Sequence, residues 1–60
     1  MTYTTMKKLI LNANAKLQSG AWTREEYDEY KETQQTKLDV FYAKGRLTES
    51  QYEELTGLWL

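Results

Sequence analysis

The chain has 60 residues and a formal charge of −1, and it contains no cysteine, histidine or proline. A chain this short forms one domain with a small core, and the missing side chains exclude disulfides, thiolate or imidazole catalysis and ordinary zinc sites. Eight basic against nine acidic residues give no excess of positive charge for a phosphate backbone. We therefore expect a protein that is not an enzyme and has no catalytic, cofactor-binding or metal-binding residues, and the charge balance disfavours nucleic-acid binding.

The first predicted element is an amphipathic helix over residues 5–18. Its apolar side chains recur at spacings of three and four and so share one helical face: Met6, Leu9, Ile10, Ala13 and Leu17. The apolar runs are too short for a membrane-spanning helix or for a signal peptide. We expect a protein of the bacterial host cytoplasm or of a virion, with no secretion signal and no membrane contact.

The second predicted helix covers residues 24–43 and begins at a capping box, Thr23-Arg24-Glu25-Glu26. In such a box the threonine hydroxyl accepts a hydrogen bond from the third helical amide, and the glutamate accepts one from the cap amide. Trp22 and Tyr27 stand at the two positions of a hydrophobic staple. The acidic cluster that follows is explained by the helix dipole and by solvation, so we assign it no chemistry; it comprises Glu25, Glu26, Asp28, Glu29 and Glu32.

The third predicted helix covers residues 49–57 and begins at a second capping box, Thr48-Glu49-Ser50-Gln51. Gly20, Gly45 and Gly57 each follow a helical stretch, which predicts that each takes the left-handed conformation just past a helix end. The two helix starts align at an offset of 25 residues and indicate an internal helix–turn–helix repeat over about residues 13–30 and 38–55. Capping preferences alone can produce the same similarity, so both origins of the repeat stay open.

Two short segments resemble known families. Residues 42–57, with a glycine, an apolar residue, Thr48, Glu49, Gln51, Tyr52 and a closing Thr-Gly pair, resemble the end of the small XkdX-type proteins of phage tail gene clusters. Residues 17–30 resemble short C-terminal oligomerisation domains. The first resemblance implies a phage or prophage protein, and neither family has a catalytic motif to transfer.

The pattern as a whole predicts an all-α domain of three helices, in which the second helix runs antiparallel to the first and the third packs along the second's C-terminal half. The expected core is Leu9, Ile10, Ala13, Leu17, Trp22, Tyr27, Tyr30, Leu38, Phe41, Leu47, Tyr52 and Leu55. Aromatic residues make up 13% of the chain, more than so small a core can enclose. The predicted partner-contact patch is the remaining apolar set: Val40, Tyr42, Leu58, Trp59 and Leu60.

Three functions fit these features. The first is a protein–protein interaction or assembly module that binds itself or another phage protein. The second is a phage-borne regulator that inhibits a host protein or a nucleic-acid complex through its acidic second helix. The third is a helix–turn–helix DNA binder, which the four acids after Arg24 and the charge of only +3 over residues 1–22 disfavour.

Overall fold

The computed structural model describes residues 2–60 and contains three helices, α1 (Thr2–Ser19), α2 (Arg24–Ala43) and α3 (Glu49–Thr56), with no strand among those residues. The predicted all-α, three-helix architecture is confirmed. Helix α1 begins at Thr2, ahead of the predicted residue 5. The residues before Thr5 carry no capping signal, and the contact that holds them is tertiary: Tyr3 packs against the core, and its hydroxyl donates a hydrogen bond to Glu54 on α3.

Both predicted capping boxes are present. The hydroxyl of Thr23 accepts from the amide of Glu26 at 3.2 Å, and the Glu26 carboxylate accepts from the amide of Thr23 at 2.9 Å. At the start of α3, Thr48 and Gln51 make the same reciprocal pair at 3.1 Å each way. Each box satisfies two backbone donors that a helix start leaves without partners, and so fixes where α2 and α3 begin.

The glycines behave in two ways. Gly20 and Gly45 have φ of +82° and +77°, as predicted. After α2 the turn is a Schellman motif, because the Arg46 amide donates to the Phe41 carbonyl at 2.9 Å and the Gly45 amide to the Tyr42 carbonyl at 3.1 Å. The left-handed prediction for Gly57 is wrong: its φ is −78°, and the right-handed path carries residues 58–60 onward to α2.

Side-chain contacts give the directions of the helices. Tyr52 stacks on Tyr42 near the end of α2, and the Trp59 indole reaches Gln35, nearer its start, so α3 and the residues after it run antiparallel to α2. Helices α1 and α3 run in the same direction, because Tyr3 bonds to Glu54 while Asn14, three turns later, bonds to Leu58. Helix α1 is therefore antiparallel to α2.

The core contains half of the predicted set. Ile10, Ala13, Tyr27, Leu38, Leu47 and Leu55 are buried, and the other predicted members, Leu9, Leu17, Trp22, Tyr30, Phe41 and Tyr52, are half-buried. Met6 is buried although it was absent from the predicted core, and so is the polar Gln34. The heptad-like spacing of Tyr27, Gln34 and Leu38 places the amide side chain on the buried face of α2.

The predicted ring partner of Trp22 is also corrected. The Trp22 ring packs on Tyr30, with centroids 5.0 Å apart, and not on Tyr27 as the staple predicted. Tyr27 instead meets the edge of Trp59 at 5.9 Å. The Lys16 ammonium lies 4.6 Å from the centre of the Trp22 ring, and the Trp22 amide donates to the Lys16 carbonyl at 3.2 Å. The contacts of Trp22 with Lys16 and Tyr30 take the place of the predicted packing on Tyr27.

Candidate interaction surface

The predicted contact patch does not form one surface. Val40 and Tyr42 are 44% and 40% exposed. Because positions i and i+2 of an α-helix point about 200° apart, the two side chains lie on different faces of α2. Tyr42 faces α3 and stacks on Tyr52. Val40 lies on the opposite side of α2, away from both other helices. Helical geometry applied to the sequence alone is enough to separate these two residues.

The other three predicted contact residues lie beside the N-terminal half of α2. Leu58 and Trp59 are half-buried against the core, and Leu60 is 47% exposed. The backbone of this segment is held on both sides: Asn14 donates to the Leu58 carbonyl at 2.9 Å, and the Leu60 amide donates to the Tyr27 hydroxyl at 2.8 Å. Leu58 and Trp59 therefore serve the fold, and only Leu60 offers a largely free side chain here.

The Tyr42–Tyr52 pair is a flat aromatic surface where α2 meets α3. The rings lie 4.6 Å apart and are inclined by 17°. The Tyr52 hydroxyl donates to the Asp39 carboxylate, and this hydrogen bond, with burial, raises the pKa of Tyr52 above its ordinary value. The hydrogen bond to Asp39 therefore keeps the Tyr52 hydroxyl protonated at physiological pH and holds its ring against Tyr42.

Leu11 is an exposed apolar residue outside the contact patch predicted from the sequence. It is 46% exposed on α1, directly after the buried Ile10 and therefore about 100° away from the helix's apolar centre. Its helical neighbours Lys8 and Ala15 are also exposed. The angular position of Leu11 outside the apolar stripe of the first helix was the signal that could have found it.

The outer face of α2 carries Val40 together with two threonines. Thr33 and Thr36 donate from their hydroxyls to the carbonyls of Glu29 and Glu32 at 3.2 and 3.0 Å. A threonine that bonds back to its own helix directs its polar atom onto the backbone, so this stretch offers fewer polar groups to solvent than its composition suggests. An open depression of about 630 Å³ lies here, lined by Glu29, Glu32, Thr33, Thr36 and Lys37.

Charge is divided between the helices. Helix α1 carries three lysines and no acidic residue, whereas α2 carries six acidic and three basic residues and α3 carries three acidic residues and no basic one. Lys7 pairs with Glu54 at 3.3 Å. The pKa of Glu54 falls below its ordinary value because Tyr3 and then Lys7 bond to the carboxylate, and the pKa of Lys7 rises because of its bonds to Glu54 and Tyr3. The acidic cluster at the start of α2 is exposed, as expected.

Within residues 2–60 the acidic side chains do not gather into a group of three or more that could hold a metal ion. None of the helices in that stretch combines the length and apolar character needed to cross a membrane. No protein-family model matches the chain, and no curated protein or solved structure matches it significantly. Its function must therefore be inferred from the surfaces described above.

Proposed function

We propose that this chain is a small, non-enzymatic protein–protein interaction or assembly module, of the kind encoded with phage tail genes and acting in the bacterial cytoplasm or on the virion. The observation that carries the proposal is the exposure of four large apolar side chains, at 40–47% each, on a 60-residue body: Leu11, Val40, Tyr42 and Leu60. Exposed apolar surface on a small folded domain is typical of binding faces.

The rigidity of the scaffold supports the same proposal. Both corners are fixed by capping boxes, and residues 58–60 are fastened to α1 and α2 by side-chain hydrogen bonds. A surface carried on preorganised helices loses little conformational entropy when a partner binds. A second copy or another phage protein is the expected partner.

Sedimentation velocity at two protein concentrations tests the proposal. The wild-type chain should sediment as a larger species at the higher concentration, alone or with a protein encoded beside it. Val40→Asp should lower that association without unfolding the domain, because Val40 is exposed and a charge would have to be desolvated on binding. Ala21→Asp, in the exposed corner between α1 and α2, is the matched control.

The genes on either side test the phage assignment. Tail genes on both sides would support it, and the resemblance of residues 42–57 to XkdX-type proteins predicts this result. A lysogeny or defence locus would instead favour the second function, a regulator that inhibits a host protein.

One structural feature favours that second candidate. A shallow cleft of about 370 Å³ along α2 is lined by three acidic residues and one basic one, Asp28, Glu32, Asp39 and Lys31, together with Gln35 and Thr36. Such a cleft could receive a basic segment of a host protein, and its binding would weaken with salt. The third function, a helix–turn–helix DNA binder, predicts a gel shift with DNA at low salt. We expect no shift, because the first turn of α2 carries exposed acidic residues and Arg24 is paired with Asp28 at 3.2 Å.

A further inference from the structure

Tyr42 and Tyr52 are the two tyrosines whose rings are in direct contact within residues 2–60, with centroids 4.6 Å apart and ring planes inclined by 17°. We propose that this pair is a site of oxidative cross-linking. A one-electron oxidant joins the two rings into an intrachain dityrosine that ties α2 to α3, with Asp39 as the proton acceptor for Tyr52. The cross-link needs no binding partner and is therefore independent of the proposed function.

The stacking brings the carbon atoms of the two rings into contact. Nearly parallel rings at this separation are offset-stacked, so carbons of one ring lie at van der Waals distance, about 3.5–4 Å, from carbons of the other. The left-handed turn at Gly45 reverses the chain between α2 and α3 and so holds the two tyrosines together. The fold therefore supplies an encounter that two separate phenols would have to make by diffusion.

One ring of the pair is open to an oxidant and the other has a base in place. Tyr42 is 40% exposed, so an oxidant in solution can reach it, and its proton passes to water. The Tyr52 hydroxyl donates to the Asp39 carboxylate at 2.5 Å, so Asp39 can take the proton as Tyr52 loses an electron. The same hydrogen bond raises the pKa of Tyr52, which keeps this hydroxyl protonated until it is oxidised.

The reaction consumes one hydrogen peroxide for each cross-link when a haem peroxidase is the oxidant. One electron and the hydroxyl proton leave each tyrosine, and the peroxide is reduced to two molecules of water. The two phenoxyl radicals then form a carbon–carbon bond between ring positions ortho to their oxygens. The hydrogen displaced from each ortho carbon returns to a phenol oxygen, so the product has lost two hydrogen atoms and keeps both hydroxyl groups.

The other three tyrosines of the chain have different ring neighbours. Tyr3 bonds to a carboxylate on α3, whereas Tyr27 and Tyr30 each pack on a tryptophan. The chain also contains no cysteine, whose thiol would compete for the oxidant. A dityrosine between residues 42 and 52 is therefore the cross-link that this fold favours.

Oxidation of the folded chain by a haem peroxidase and hydrogen peroxide tests the proposal. The monomer isolated after oxidation should show dityrosine fluorescence and a mass lower by two hydrogen atoms. Trypsin cuts after Lys37, Lys44 and Arg46, so it should release residues 38–44 joined to residues 47–60. Asp39→Asn should slow formation of the intrachain product by about tenfold or more, because an amide is a poor proton acceptor.

Three further variants show whether the stacked pair itself reacts. Tyr42→Phe should abolish the intrachain product, and Tyr30→Phe should leave it unchanged. The double variant Tyr42→Phe/Val40→Tyr is the matched control, because it moves an exposed tyrosine to the opposite side of α2 while leaving it close to Tyr52 in the sequence. It should give no intrachain product.

Four results would contradict the proposal. The first is an oxidised monomer that has lost no hydrogen or whose cross-linked peptides contain other tyrosines. The second is dityrosine found only in covalent dimers and larger species, which would mean that the reaction joins separate chains. The third is an equal yield from the wild type and the double variant, which would make the stack irrelevant. The fourth is an unchanged rate in Asp39→Asn, which would remove Asp39 as the proton acceptor.

Discussion

Tyr27 and Asn14 join α2 to α1 through a partly buried hydrogen bond. The Tyr27 hydroxyl donates to the Asn14 side-chain oxygen at 2.6 Å, and the Tyr27 ring is fully buried. The same hydroxyl accepts from the Leu60 amide, while the Asn14 side-chain nitrogen donates to the Leu58 carbonyl. This pair therefore ties residues 58–60 to the two longer helices.

Removing the Tyr27 hydroxyl tests that dependence. Tyr27→Phe keeps the ring but leaves Asn14 and the Leu60 amide without their partner, which should lower the free energy of unfolding by about 1–3 kcal/mol. Tyr27→Ala should cost about 3–5 kcal/mol, because it also empties the core site. Thermal and urea unfolding measure both changes. Tyr30→Phe is the control, since within residues 2–60 its half-buried hydroxyl makes no hydrogen bond; an equal loss in both Phe variants would contradict the role given to Tyr27.

Replacing Gln34 and Gln35 by methionine should change the free energy of unfolding in opposite directions. The Gln34 side-chain oxygen is buried without a hydrogen-bond partner in the described chain, whereas the Gln35 oxygen accepts from the Trp59 indole at 3.0 Å. Gln34→Met should therefore raise the free energy of unfolding by about 1 kcal/mol, and Gln35→Met should lower it by a similar amount. Urea denaturation of the two variants measures the difference. A loss of stability in Gln34→Met would show that this amide has a partner in solution, such as a buried water.

Substitution by alanine should have different effects on stability at Gly45 and at Gly57. Gly45 has φ of +77°, where a Cβ meets no atom within 4 Å but the backbone is strained for any L side chain, so Gly45→Ala should cost about 1–2 kcal/mol. Gly57 has a right-handed backbone, and a Cβ there would make an ordinary 3.4 Å contact with the Glu53 carbonyl. Gly57→Ala should be neutral or stabilising, because alanine restricts the unfolded chain. Melting temperatures compare the two, and equal losses would place Gly57 in the left-handed region.

The loss of folding stability at acid pH should depend in part on Glu54. The pKa of Glu54 is lowered by bonds from Tyr3 and Lys7, so its contribution to stability is present above the ordinary glutamate pKa of 4.5 and is lost as the pH falls through the lower folded value. Glu54→Gln should therefore be less stable than wild type near neutral pH, and the difference should vanish well below 4.5. Glu53→Gln, which removes an exposed carboxylate from the same helix, is the control. A constant difference across the acid range would contradict the assignment.

The parts of the fold that follow local rules could be predicted from the sequence. The starts of α2 and α3 are encoded in Thr23–Glu26 and Thr48–Gln51, where four adjacent residues determine the geometry. The choice of ring partners could not be predicted in this way, because Trp22 pairs with Tyr30 and Tyr27 with Trp59 through contacts between distant elements.

The candidate interaction surface could likewise be predicted from the sequence only where local rules apply. The exposure of Val40 and Tyr42 agrees with the prediction that these side chains are left out of the core. The separation of Val40 from Tyr42 follows from helical periodicity and so could be predicted from the sequence. The partial burial of Trp59 depends on Gln35 and Tyr27, whose proximity only the packed structure defines.

The most direct test of association through the exposed apolar side chains is a dilution series of amide NMR spectra of the wild-type chain. Amides near Leu11, Val40, Tyr42 or Leu60 should change position with protein concentration, while the amides of the buried core should not. Spectra that are identical at the lowest and highest concentrations, with no change on adding the product of a neighbouring gene, would contradict the proposed association.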